Sequence, residues 1–204
     1  LLATCYAIAN ESRRLLVGDR VSVLVRHGAA CRLFAVSGAD SFSRRANCVQ
    51  FLERVAGAVV AAGDALWHPA GEALPPQIEA PLDAYLDESH ATGVGILPLR
   101  AVPRSDSSAE AKTLGAMVVE CFYRRPDEPL RETTAALVPH IALALQNALE
   151  LARLPLGRFL RRLGSLLHSL RGRRLAVCGI VAAAILVVVA ALSLVPADFS
   201  VEAR

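Results

Sequence analysis

Apolar and polar residues alternate along most of this chain, and then, near its end, the polar ones stop. Over Asp19–His27, Val21, Val23 and Val25 fall on one side and Ser22, Leu24 and Arg26 on the other, the two-residue period of a strand. His27-Gly28-Ala29-Ala30 reads as a turn and Cys31–Ser37 as the returning strand, so the pair predicts a hairpin. Helical spacing flanks it, at Ala3–Leu16 and again at Arg44–Ala62, where Cys48, Phe51, Leu52, Val55, Val59 and Val60 share a face. Trp67-His68-Pro69 opens a proline-punctuated loop, and Pro81–His90 reads as a short helix. Gly93–Arg100 and Gly115–Tyr123 read as strands joined by the polar loop Pro103–Ala109, most simply paired antiparallel. Pro98 points to an edge or a bulge. Glu128–Ala152 closes the series as a long helix, with Pro139 bending it or marking its true first turn. This order predicts an α+β domain over 1–152, with an antiparallel sheet and segregated, flanking helices.

The pattern then changes. Residues 153–174 form a basic linker, within which Leu156–Leu170 sets leucines and Phe159 on one helical face against Arg158, Arg161 and Arg162. That suits an amphipathic helix on an anionic lipid surface; the competing reading is a linker helix packed on its twin. Leu175–Val195 has no charge and one hydroxyl, Ser193. A helix of that length spans ~30 Å, the depth of a bilayer core, so the run predicts a transmembrane helix; a buried hairpin helix is the alternative. Gly179 and Ala183 form a small-x-x-x-small pair, a hint of homo-oligomer formation. The chain begins Leu-Leu and stops just past this run, as a fragment of a longer protein would.

Charge orients the span. Seven arginines and no acid lie between Leu151 and Arg174, among them Arg171, Arg173 and Arg174 beside the span, whereas only Asp198, Glu202 and Arg204 follow it. The positive-inside rule then places 1–174 in the cytoplasm and 196–204 in the periplasm, with the chain in a bacterial inner membrane. The net charge of +3 comes from that segment, since residues 1–150 are slightly acidic. The basic balance therefore gives no argument for a nucleic-acid partner.

Chemistry is sparse. The five histidines are scattered, the five cysteines include no C-x-x-C, and no phosphate-binding glycine run or nucleophile elbow occurs. Asp87-Glu88 and Asp127-Glu128 sit at helix ends, where capping is the ordinary role. The expectation is a non-enzymatic chain with no metal and no cofactor.

The block Tyr85–Phe122, with ATGVGILPLR leading to GAMVVECF, resembles a GAF domain, a sensor fold related to PAS domains. The resemblance covers about 1–152. It implies a pocket between the sheet and the 64–92 segment, with Trp67, His68, Tyr85 and His90 as candidate lining; the plainer reading has Trp67 and Tyr85 completing the core. Bilin-binding members attach their chromophore to a cysteine beside a histidine, and no Cys-His pair exists here. The tail Pro196–Arg204 resembles the start of HlyD-type membrane fusion proteins. That likeness implies a periplasmic adaptor of an efflux or secretion system, partnered by an inner-membrane transporter and an outer-membrane channel. The other class is the GAF input module of a membrane-bound signal transducer.

Reporter fusions test the orientation. Alkaline phosphatase after Arg204 should be active and green fluorescent protein there dark, with the opposite result for fusions before Leu156. A fluorescent fusion after Arg204 would reverse the topology.

Overall fold

A computed structural model describes residues 1–16, 18–69, 73–102, 112–153 and 186–188. Leu1–Ala152 forms one compact unit and Arg153–Arg204 a second. The first contains α1 (Leu2–Leu15), β1 (Arg20–His27), β2 (Ala30–Val36), α2 (Asn47–Ala62), β3 (Leu66–His68), α3 (Pro76–Ser89), β4 (Gly93–Arg100), β5 (Thr113–Cys121) and α4 (Glu128–Arg153). The strands form one antiparallel sheet in the order β2-β1-β5-β4-β3. The α+β class and the antiparallel pairing of β4 with β5 are as the sequence predicts.

The helices are not segregated to one side, because both faces of the sheet are apolar. One face, with Val21, Val23, Met117 and Val119, packs against Ile8 and Ala9 of α1 and Leu145 of α4. The other, with Leu24, Val94, Ile96 and Val118, packs against Leu52, Val55 and Val59 of α2 and Leu82 and Tyr85 of α3. Double burial explains why β5 has no exposed residue and β4 only one, Arg100, so that neither shows the polar half of a strand period.

Three local readings need correction. Trp67 and His68 do not open a loop; with Leu66 they form the edge strand β3, pairing Leu66↔Ile96, Trp67↔Gly95 and His68↔Val94. Three residues are too few to show a period. Next, α3 begins five residues before Pro81, at Pro76, where a proline's fixed φ and missing N–H suit a helix's first turn. Last, Pro139 does not mark the first turn of α4, which begins at Glu128 and contains the proline. Its true start is set by Asp127, whose Oδ1 accepts the Leu130 N–H at 3.1 Å. Pro98 pairs with Ala116 on β5, while β3 reaches along β4 only from Val94 to Ile96, so the proline lies beyond the end of the edge strand.

A bulge between Val23 and Leu24 shifts the β1–β2 register, pairing Val23↔Ala35 and Leu24↔Leu33. At the open edge of β2, Glu53 of α2 accepts the Leu33 N–H at 2.9 Å and pairs with Arg32 at 2.8 Å. The side chain thus ties α2 to an edge that would otherwise offer free backbone donors.

α4 is long and apolar enough to cross a membrane by length and composition. Leu130, Ile141, Ala142, Leu145 and Ala148 are nevertheless buried in the unit, and Leu143 and Leu151 are exposed. The expected span Leu175–Val195 lies outside the described residues except for Leu186–Val188, which are helical with exposed side chains. The expected basic helix with Arg158, Arg161, Arg162, Arg171, Arg173 and Arg174, and the tail Pro196–Arg204, also lie outside them.

Gly115 separates two responses to the same substitution. A Cβ there would sit 2.0 Å from the Leu24 carbonyl oxygen, a backbone atom that cannot give way, whereas a Cβ on Gly57 in α2 meets only ordinary contact at 3.9 Å. Gly115→Ala should cost more than ~3 kcal/mol or prevent folding. Gly57→Ala should be stabilising by ~0.5–1 kcal/mol. Urea unfolding of both variants reads the contrast.

Candidate functional site

The sequence puts one acid, Glu120, in the otherwise apolar strand GAMVVECFY, and the sheet buries it completely. An isolated carboxylate there would cost several kcal/mol, about enough to offset much of a domain's stability, so it must find partners. Antiparallel register sets Arg20, the first residue of β1, directly opposite. Its guanidinium grips the carboxylate as a fork, Nε to Oε2 at 2.7 Å and Nη2 to Oε1 at 2.5 Å. The arginine's outer side rests on the Phe122 ring, 4.8 Å from its centroid. From α3, the Tyr85 hydroxyl donates to Oε1 at 2.5 Å. Burial pushes the Tyr85 phenol well above its usual range, and the adjacent Glu120 carboxylate pushes it further the same way.

This triad forms one end of a cavity of about 200 Å³ between the sheet and α2. Its apolar wall comes from Leu33 and Val36 of β2, Phe42, and Val49 and Leu52 of α2. Two further polar side chains line it. The Ser22 hydroxyl, on a residue 1% exposed, has no hydrogen-bond partner among the described residues. The Cys48 thiol is half-buried; burial raises its pKa, partly countered by Arg20, so it stays protonated. Nothing here pairs a nucleophile with a base. Among the described residues no three His, Cys, Asp or Glu come together as metal ligands.

A second, more open hollow is lined by Arg26, Arg100 and Lys112 at the end of α2. Arg100 there donates to the Gly63 carbonyl, so its cation serves the helix's C-terminus.

Of the four residues expected to line a pocket, Tyr85 lines this cavity and Trp67, His68 and His90 do not. Trp67 packs with the α1/α4 core on the opposite face: its ring covers Gly95, and Arg131 of α4 stacks over it at 5.5 Å. His68 is half-buried on the edge strand. His90 is an exposed α3 C-cap residue in the left-handed region, φ 56°. Sequence reasoning missed Arg20, Ser22, Cys48 and Glu120 as site residues. The available signal was the lone acid in an apolar strand; its partner lies 100 residues away.

This α+β unit has a 2-1-5-4-3 antiparallel sheet with helices on both faces. No protein-family model matches the chain, and no curated protein matches it in sequence. Solved structures similar to it include the GAF domain of a two-component sensor histidine kinase from Bacillus halodurans, at 12% identity and TM-score 0.45, covering 70% of this chain and 92% of that one. A domain described as part of a two-component sensor histidine kinase protein from Sinorhizobium meliloti 1021 is similar at 15% identity and TM-score 0.44, over 76% and 92% of the two chains. The blue-light-absorbing form of the Thermosynechococcus elongatus PixJ GAF domain is similar at 18% and 0.47, over 84% and 94%. These are likenesses of fold.

Two measurements test the triad. Arg20→Met leaves Glu120 buried without its cation and should cost ~3 kcal/mol, while Arg20→Met/Glu120→Gln should recover at least half of it. Equal stability of the two variants would dismiss the pair. The second is alkaline stability. Because Tyr85 holds its proton more tightly folded than unfolded, its contribution is complete below about pH 10, the ordinary tyrosine value, and fades above it. The stability of the wild type should therefore fall more steeply above pH 10 than that of Tyr85→Phe, narrowing the gap between them.

Proposed function

We propose that residues 1–152 are a non-enzymatic sensory input domain, which takes a small molecule into the cavity between β1, β2 and α2 as part of a membrane-attached signal transducer. The observation that carries this reading is the cavity itself: apolar walls that end in a fixed polar cluster, with one buried hydroxyl, Ser22, left unpartnered among the described residues. Small-molecule sites have this composition, a mostly apolar hollow with a few placed polar groups. A hydroxyl left unsatisfied in a core costs ~1–3 kcal/mol, and a guest that bonds it removes that penalty.

In this reading the apolar run 175–195 anchors the domain and the arginines before it hold residues 1–174 in the cytoplasm. The partner that receives the signal then lies on the same side of the membrane. The periplasmic-adaptor reading has only the nine residues 196–204 behind it and ranks second.

Hydrogen exchange tests the proposal. The full chain in nanodiscs is exposed to fractions of a bacterial small-molecule extract. At least one fraction should slow exchange in β1, α2 and α3, which border the cavity, and Leu52→Phe, which fills it, should abolish that protection. If every fraction leaves these elements unchanged, the input-domain reading fails.

A further inference from the structure

The cavity's dimensions and its charge balance restrict what it can hold. A dry cavity of ~150 Å³ accepts benzene, so about 200 Å³ suits a single ring with one or two substituents. A tetrapyrrole is several times too large to be enclosed by it. The polar end is electrically closed: one guanidinium is already forked on one carboxylate. An anionic guest would lie beside Glu120, and a cationic one beside Arg20, each without a free counter-ion. The hydrogen-bonding end is open in a particular way. Tyr85 spends its proton on Glu120, so any further bond its oxygen makes is as an acceptor. Ser22 can both donate and accept, and neither capacity is used among the described residues.

We infer that the ligand is a small neutral molecule with one apolar ring and a hydroxyl head, a phenol-like or compact cyclic alcohol, whose head bonds Ser22 while its ring lies against Phe42, Val49 and Leu52. This assignment rests on the input-domain reading and narrows it to a ligand class. Ser22 is the specificity-determining residue. It stands where β1 turns from a charged residue, Arg20, to a purely apolar one, Leu24, on the cavity face of the sheet. The walls give affinity to any ring of that size. The unpartnered hydroxyl discriminates, because an apolar analogue leaves it unsatisfied.

The probes are 4-methylphenol, toluene and benzoate, titrated calorimetrically into the full chain in nanodiscs, with empty nanodiscs as the blank. 4-Methylphenol should bind at one saturable site. Benzoate should bind about tenfold more weakly or worse, because its carboxylate has no free cation. Ser22→Ala should weaken 4-methylphenol by about tenfold and leave toluene within about twofold. Leu52→Phe and, as a second variant should the first not fold, Val49→Phe should block both neutral probes. Benzoate binding as tightly as 4-methylphenol would overturn the neutral class, and an unchanged affinity in Ser22→Ala would overturn the role of the hydroxyl. Binding that survives both filling variants would place the probe elsewhere and sink the assignment. If no probe binds while an extract fraction still protects β1 and α3, the ligand class falls and the input-domain reading stands. If neither binds, both fall.

Discussion

The need to neutralise a carboxylate inside a sheet shapes this domain more than any other single interaction. Glu120 has no exposed surface, and its two oxygens are taken by Arg20 on the neighbouring strand and Tyr85 on a helix above. Sliding β1 against β5 by one residue would move Arg20 to the wrong face and leave the charge bare, so the pair penalises that register error heavily. Tyr85 adds a third constraint, because its hydroxyl reaches the carboxylate only when α3 is docked over the sheet. Strand register, helix position and the polar end of the cavity are therefore fixed by one group of three side chains.

The sheet divides its work between its faces. On the α1/α4 side an apolar cluster packs against the strands. Trp67 occupies the space that Gly95 leaves open and meets Arg131 of α4, which ties the edge strand to the last helix. On the α2/α3 side the packing is incomplete, and the gap lies where Ser22, Cys48 and the Glu120 triad meet the apolar wall of α2. Neighbouring residues of β5 serve the two sides alternately: Glu120 faces the cavity, while Val119 and Cys121 belong to the core on the α1/α4 face. A change in the cavity that displaces Glu120 thus acts on the same strand that supports α4. α4 is the last element before the basic and apolar segments.

The cavity's walls also limit its chemistry. The thiol of Cys48 is held protonated by burial, and Tyr85 holds its proton against Glu120. Neither is suited to act as a nucleophile or base near neutral pH. In the proposed reading the cavity works by shape and by a few hydrogen bonds.

Much of this architecture was legible in the amino-acid order. The hairpin period of Val21, Val23 and Val25, the helical face of α2, and the paired runs GVGILPLR and GAMVVECFY each carry their own repeat, because secondary structure repeats over a few residues. The uncharged run Leu175–Val195 and the arginines before it are likewise a property of sequence alone. The site was not legible in the same way. Tyr85 stood out as an aromatic on a short helix, but Trp67, on the same stretch of chain, faces the other side of the sheet, since β3 was too short to reveal which way its residues point. Nothing local in the sequence links Arg20 to Glu120; the β1–β5 pairing sets them side by side across 100 residues. Sequence determines periods and composition, which are local. Only tertiary structure decides which distant residues share a face, because that follows from strand order and register across the whole sheet.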